Sequence, residues 1–309
     1  MASFATEVKN ELARVTGEKR CCRMAELSAL LRMGAAVVWG EHRWFGLNFA
    51  TENAAVARKG LTLLKGLGHD IRTEVMVSRA KRLKKNNSYG VRIAPAPNVE
   101  ELLAALDLLR EGSLSVEPDR KILRHHCCRA AYLRGAFLGG GSVSRPESSY
   151  HLEMATQSYA FAEFLRHLLR RMEFPVGMTE RKGAYVVYLK EGDAVMDFLG
   201  MVHADEAVEA FEVARNLKEV RNQVNRLVNC ETANLQKAVD AAGRQMKDIR
   251  LLQRAGQWES LPELLRETAQ ARMEHPDASL TELAEILCVS KSGLNHRFRK
   301  LRRMASQAG

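Results

Sequence analysis

The chain has 309 residues, 46% of them apolar, with 47 Lys and Arg against 37 Asp and Glu, for a formal net charge of +10. That length exceeds one typical domain and falls short of three, and the basic balance points to an anionic partner, because clustered cations gain by displacing counterions from phosphates. No apolar run reaches bilayer length, the segment from Met1 to Leu12 is charged and lacks a signal core, and the six cysteines include two adjacent pairs, Cys21-Cys22 and Cys127-Cys128, unlike a spaced disulfide framework; a cytoplasmic protein with reduced thiols is expected.

In chain order the first expected elements are a helix near Met24 to Met33 and strands Val37 to Trp39 and Trp44 to Phe49 around Gly40-Glu41. A helix from Glu52 to Leu67 follows, then strands Ile71 to Ser78 and Tyr89 to Ile93. Between these strands Arg79, Lys81, Arg82, Lys84 and Lys85 form the densest basic run of this region. Such a run reads equally as a phosphate-contacting loop or as a solvated hairpin tip.

The same order then recurs. CCRMAELSALLRMGAAV from Cys21 is echoed by CCRAAYLRGAFLGGGSV from Cys127, an offset of 106 residues (21 to 127). At that offset Cys21, Cys22, Arg23, Ala25, Leu27, Gly34 and Val37 match Cys127, Cys128, Arg129, Ala131, Leu133, Gly140 and Val143. With one residue of slippage, Ala50-Thr51 corresponds to Ala155-Thr156. Strands Ser142 to Ser144 and Tyr150 to Ala155, a helix Ala160 to Met172, and strands Val176 to Arg181 and Tyr185 to Leu189 around Lys182-Gly183 complete the second copy. The reading is an α+β protein whose N-terminal domain is a two-repeat αββαββ unit at about 1–205, with repeats about 1–95 and 122–200.

LRGAFLGGGSV, from Leu133 to Val143, resembles the signature helix of the LAGLIDADG homing endonucleases, with LSALLRMGAAV from Leu27 to Val37 as a weaker first copy. The resemblance implies two signature helices packed along a pseudo-two-fold axis, each ending in an acidic residue that holds a catalytic metal. The matching positions here are Gly34 and Gly140, and neither they nor Ala35, Ala36, Gly141 and Ser142 offer a carboxylate. Hard cations that activate water need oxygen ligands, so no catalytic residue, metal or cofactor is expected. The glycines are read as letting two helix backbones approach and as opening the helix end into the next strand; a phosphate-cradling role for Gly139 to Gly141 lacks the Lys-Ser/Thr continuation of a P-loop. His125-His126-Cys127-Cys128, with Cys21-Cys22 nearby across the axis, invites a metal reading. It is set aside for want of C-x2-C spacing, since cysteine on a buried helix face usually acts as a small apolar residue.

Beyond Leu189 helical stretches run Asp193 to Leu199 and Asp205 to Val220, with 206–222 read as a helical linker and 223–309 as a helix-turn-helix domain. A long helical region from Gln223 ends near Arg254 at Gly256. Ser260-Leu261-Pro262-Glu263 reads as a capping box opening a helix to about Met273, and Ser279-Leu280-Thr281-Glu282 as a second, opening a short helix. Cys288-Val289-Ser290 is the turn, with Cys288 where glycine is usual. The next helix, from Lys291 to about Met304, turns Leu294, Phe298 and Leu301 inward. Its outer face offers Lys291, Ser292, Asn295, His296, Arg299, Arg302 and Arg303, able to bond base edges and phosphates in a major groove, and no acid.

TENAAVAR, RLKKNNSYGVRI, YLRGAFLGGGSV, NRLVNCETANLQKAV and SKSGLNHRFRKL resemble the WhiA family of bacterial regulators over nearly the whole chain. That resemblance implies a non-enzymatic, nucleoid-associated protein that binds double-stranded DNA. It also implies transcriptional regulation of cell division, chromosome segregation or sporulation genes, with a protein partner in transcription or division and no membrane or small-molecule substrate. Two alternatives stand beside it: a nucleoid-associated division protein with mainly nonspecific DNA binding, and a metal-dependent endonuclease using other acids.

Overall fold

The computed structural model describes residues 3–17, 19–68, 71–79, 87–119 and 121–308. It divides into two compact units, Met1–Lys218 and Glu219–Gly309.

In the first unit a short helix α1 (Phe4–Arg14) precedes the first repeat: α2 (Arg20–Gly34), β1 (Ala35–Trp39), β2 (Phe45–Thr51), α3 (Ala54–Lys65), β3 (Thr73–Arg79) and β4 (Asn87–Ile93). After α4 (Pro97–Ala105) and a small hairpin, β5 (Leu109–Arg110) and β6 (Ser113–Leu114), the second repeat follows. It comprises α5 (His126–Gly140), β7 (Gly141–Val143), β8 (Leu152–Thr156), α6 (Tyr159–Arg171), β9 (Gly177–Arg181) and β10 (Ala184–Leu189), and α7 (Gly192–Met201) closes it. The αββαββ order thus occurs twice, and both sheets are antiparallel with matching strand orders, β1-β2-β4-β3 and β7-β8-β10-β9.

Local chemistry repeats with the topology. Asn53 caps α3 by accepting from the Ala55 and Val56 amides at 2.8 and 3.1 Å, and Ser158 caps α6 by accepting from Phe161 at 3.2 Å. The two cap residues donate their own amides back to Thr51 Oγ1 and Thr156 Oγ1, at 3.2 and 3.3 Å. The one-residue slip in the sequence echo leaves this strand-to-helix junction intact in both copies.

Helices α2 and α5 pack against each other at the centre and are buried on most faces, so they carry no clean amphipathic stripe. Glycine allows their approach. A Cβ at Gly135 would fall on the Glu26 carbonyl oxygen, and one at Gly139 would lie 2.5 Å from Met33 Cβ. Neither helix ends in a left-handed residue: Ala35 (φ −100°) and Gly141 (φ −84°) are already extended, so the glycine run serves close approach and not a helix-opening turn. Positive φ falls in hairpin turns instead, such as Lys182-Gly183, at 54° and 77°, between β9 and β10, and Glu111-Gly112, at 49° and 73°, between β5 and β6.

A charged group lies in this core. Glu26 is fully buried and takes two hydrogen bonds from Arg134, at 3.0 and 2.8 Å, with Lys59 Nζ 3.2 Å from Oε1, the oxygen that Arg134 Nε also reaches. Lys59 also donates to the Val15 carbonyl and Arg134 to the Val202 carbonyl at 3.5 Å, so one carboxylate and two backbone oxygens hold two cations. Removing one member of such a group leaves buried charge uncompensated.

Elements absent from the sequence reading are α1, α4 and the β5–β6 hairpin. Each is short, and α1 and α4 gain burial only through a few residues, Val8 and Leu12 in one and Val99, Leu102 and Leu103 in the other. The stretches from Asp205 and from Gln223 join as one helix, α8 (Asp205–Arg254), inside which the division between units falls. No helix among the described residues is long and apolar enough to cross a membrane.

The second unit contains the end of α8, then α9 (Glu263–Glu274), α10 (Leu280–Ile286) and α11 (Lys291–Ala308) around a core that includes Leu252, Leu265, Leu283, Leu294 and Phe298. The capping box expected at Ser260 does not form. Pro262 occupies the cap of α9, while Ser260 Oγ donates to the Gln257 carbonyl at 2.8 Å within the turn after Gly256. That hydroxyl is engaged with the preceding turn and faces no orphan amide of the helix it was expected to cap.

Candidate nucleic-acid interface

Helix α10 starts with a complete capping box: Ser279 Oγ accepts from the Glu282 amide at 3.2 Å, and Glu282 returns the bond to the Ser279 amide at 2.6 Å. Those bonds hold the Glu282 carboxyl below its ordinary pKa, the backbone bond from Ser279 being the larger cause. The helix closes with Cys288 N donating to Glu285 O at 3.1 Å and Val289 N to Ala284 O at 2.9 Å. Cys288 sits at φ +53°, the left-handed conformation that glycine usually supplies at such a helix end. The turn therefore has its usual geometry despite the residue.

Ser290 Oγ then accepts from Gly293 N at 3.1 Å and caps α11. Leu294, Phe298, Leu301 and Ala305 form the buried stripe of α11. Lys291, Ser292, Asn295, His296, Arg299, Arg302 and Arg303 are all exposed on it. From Lys291 to Arg303 this is about 18 Å of helix at ~1.5 Å per residue, acid-free and solvent-facing. Arg302 differs from the others in feeling Asp248 of α8, whose carboxyl burial raises and Arg302 lowers. Arg297 turns inward, with Nη1 3.4 Å from Thr268 Oγ1 and 3.7 Å from Glu267.

Two residues without a sequence signal hold this arrangement. Arg272 on α9, almost fully buried, donates Nε to Gln245 Oε1 at 2.9 Å and Nη1 to the carbonyls of His275, Pro276 and Ala278 at 3.2, 3.3 and 2.5 Å. Its guanidinium also lies 5.7 Å from the Phe298 ring centroid, tying the α9–α10 loop to α11. Thr268, also buried, turns its hydroxyl to the Leu264 carbonyl at 2.8 Å and offers the same oxygen to Arg297. An arginine and a threonine in an amphipathic helix look in sequence like its polar face; only the fold shows them buried.

In the first unit Gly34 and Gly140 end the paired helices. A Cβ at Gly34 would meet Phe49 Cε2 at 2.9 Å, and one at Gly140 would meet the Ala155 carbonyl oxygen at 2.6 Å. Among the described residues, the cavity beside these ends, lined by Lys9, Glu52, Asn53, Gly139, Gly141 and Ser142 among others, offers one carboxylate, Glu52, and one ammonium, Lys9. Burial lowers Lys9 to about 8. Among the described residues no cluster of three or more potential metal ligands lies here.

The basic run between β3 and β4 divides: Arg79 ends β3, while Lys81, Arg82, Lys84 and Lys85 lie outside the described residues. On the exposed strand positions of the two sheets Arg92 meets Glu74 at 3.9 Å and Arg181 meets Glu153 at 2.8 Å.

The cysteine pairs, which lack chelate spacing in sequence, come together at the N-terminal turns of α2 and α5. The sulfurs of Cys21, Cys22 and Cys128 all lie within 4.8 Å of one another, and the exposed Cys127 lines the same cavity as Cys22. Burial pushes the Cys22 thiol up and Cys128 up to about 11, while Cys22 and, more weakly, Lys19 draw the exposed Cys127 down.

Comparison with known proteins matches residues 20–109 to the WhiA N-terminal LAGLIDADG-like domain, 129–221 to the WhiA LAGLIDADG-like domain and 224–305 to the WhiA C-terminal HTH domain. A protein of Desulforamulus reducens named probable cell division protein WhiA is 50% identical over 99% of this chain and 96% of its own length. Its namesake in Brevibacillus brevis is 47% identical over 99% and 97%. The crystal structure of full-length WhiA from Thermatoga maritima covers 100% of this chain and 99% of its own at a TM-score of 0.62 and 24% identity, a likeness of fold.

Proposed function

This chain belongs to the WhiA family, and on that premise we propose that it is a DNA-binding transcriptional regulator of cell division, chromosome segregation or sporulation genes, acting on the nucleoid in the cytoplasm. The observation that carries the reading is the outer face of α11, where Lys291, Ser292, Asn295, His296, Arg299 and Arg303 are exposed together beyond a capped, correctly turned α10. Asn295, His296 and Arg299 are assigned base edges, and Lys291 and Arg303 phosphates. Asparagine presents a donor and an acceptor to adenine, and arginine a fork to guanine.

In the same proposal the sheet unit binds without cutting. Both helix ends where the resembling nucleases hold metal carry glycine, and a side chain at Gly140 would collide with a backbone oxygen. The salt-bridged arginines of the open sheet faces reduce the phosphate attraction of that surface, leaving it suited to a protein partner as much as to DNA.

The test is equilibrium binding of the full chain to promoter DNA and to scrambled duplex at several salt concentrations. Asn295→Ala and Arg299→Ala should weaken promoter binding by about 5- to 150-fold, the equivalent of ~1–3 kcal/mol, and leave scrambled binding nearly unchanged. Arg303→Ala should weaken both and reduce the salt slope by about 1. Unchanged promoter affinity in Arg299→Ala would overturn the assignment. Genome-wide occupancy separates the regulator, with sharp promoter peaks, from an architectural protein with broad coverage, and strand breaks on incubation with Mg2+ would overturn the non-cutting reading.

A further inference from the structure

We propose that Cys21, Cys22 and Cys128, with Cys127 as fourth ligand, form a thiolate site for one soft d10 cation of the zinc type, joining the two repeats. The geometry comes from two helices and not from one motif. Each repeat contributes an adjacent pair to the first turn of its central helix, and packing of α2 on α5 brings three sulfurs within 4.8 Å of one another.

Tetrahedral zinc thiolates have bonds of ~2.3 Å, which sets sulfur separations near 3.8 Å, so the three sulfurs need to close by at most about 1 Å. Cys127 is exposed and lines the same cavity as Cys22, so it can rotate into the fourth position. A cavity lined by Lys19, Cys22, Cys127 and His203 among others gives an entry path.

The charge of the product falls at two helix N-termini, which offsets part of the burial that pushes Cys22 and Cys128 up. A divalent ion with four thiolates is a dianion, formed as four thiols release four protons to solvent. The sulfurs lie in the first turns of α2 and α5, at the positive ends of both helix dipoles, and Lys19 beside Cys127 adds a cation. Without an ion, three thiols would be packed on one another at the junction of the two halves, where α2 and α5 otherwise meet through apolar residues, glycine and the paired Glu26 and Arg134. Thiolate donors in a closed site favour zinc or copper(I) over the hard cations of nucleases.

The experiment uses the reduced, chelator-stripped full chain titrated with Co2+. One equivalent should give sulfur-to-cobalt charge-transfer absorption and the intense visible bands of tetrahedral cobalt, and Zn2+ should erase them. Chelation should lower the melting temperature of the zinc-loaded protein. Cys22→Ser/Cys128→Ser should lose the signal, and Cys230→Ser/Cys288→Ser should keep it. Because buried serines can perturb folding, the half-exposed Cys21→Ser, checked by circular dichroism, should weaken Co2+ binding with the fold intact. Absence of thiolate bands, bands unaffected by Cys21→Ser and by the buried pair, or conversion of Cys21 and Cys128 to a disulfide with no metal uptake would overturn the site.

Discussion

Replacing Arg272 by methionine tests whether one buried guanidinium sets the geometry of the reading head. Arg272 donates to Gln245 and to three loop carbonyls, of His275, Pro276 and Ala278. The His275 and Pro276 residues are exposed, so their carbonyls can rehydrate, whereas Gln245 and Ala278 are half-buried. Hydrogen bonds to a charged donor contribute about 1.5–3 kcal/mol each. Burial lowers the pKa of Arg272, the mark of a desolvation cost that methionine avoids and that offsets part of the loss. Counting the two shielded acceptors and deducting that offset leaves about 3 kcal/mol of lost stability in the second unit, or roughly 150-fold in its opening equilibrium. Hydrogen exchange of the Leu294 to Leu301 amides in the full chain reads this directly, because those amides belong to the helix the guanidinium pins. Arg272→Lys, keeping the charge but able to reach fewer acceptors, should fall between. Protection within threefold of the parent in Arg272→Met would show that the loop and α11 hold without the guanidinium.

Four further outcomes are expected. Cys288→Gly relieves a left-handed β-carbon and should stabilise the second unit by about 0.5–1 kcal/mol, read as a higher melting temperature, with no change in DNA affinity. Gly135→Ala, whose methyl would strike the Glu26 carbonyl, should destabilise the first unit by at least ~2 kcal/mol in denaturant titrations. Gly140→Asp should lower the melting temperature and yield no Mg2+-dependent strand cleavage, since the Ala155 carbonyl oxygen occupies the space a side chain needs. Burial lowers Lys9 from its ordinary 10.5 to about 8, so the folded state disfavours its charged form. Stability linked to Lys9 is therefore least below pH 8 and rises as pH climbs from about 8 to 10.5. Lys9→Met should raise the melting temperature at neutral pH, and the gain should shrink through that window.

The periodic and local features of this protein are legible along the chain: the repeat marked by the two cysteine pairs, the strand-to-helix junctions at Thr51 and Thr156, the Ser279 capping box and the apolar stripe of α11. Each of these is a statement about neighbours a few residues apart or about one pattern occurring twice, and such information is written along the chain. Ser260 shows the limit, because a cap signature does not say which of two adjacent turns claims the hydroxyl. Only the tertiary structure decided that Glu26, Lys59 and Arg134 are one buried group, that Arg272 is core and not surface, and that Gly140 faces a carbonyl. It also decided the cysteines. Cys21-Cys22 and Cys127-Cys128 lack chelate spacing because their meeting is made by two helices packing side by side, 106 residues apart in sequence (21 to 127), and no spacing rule along one segment can report a distance between two.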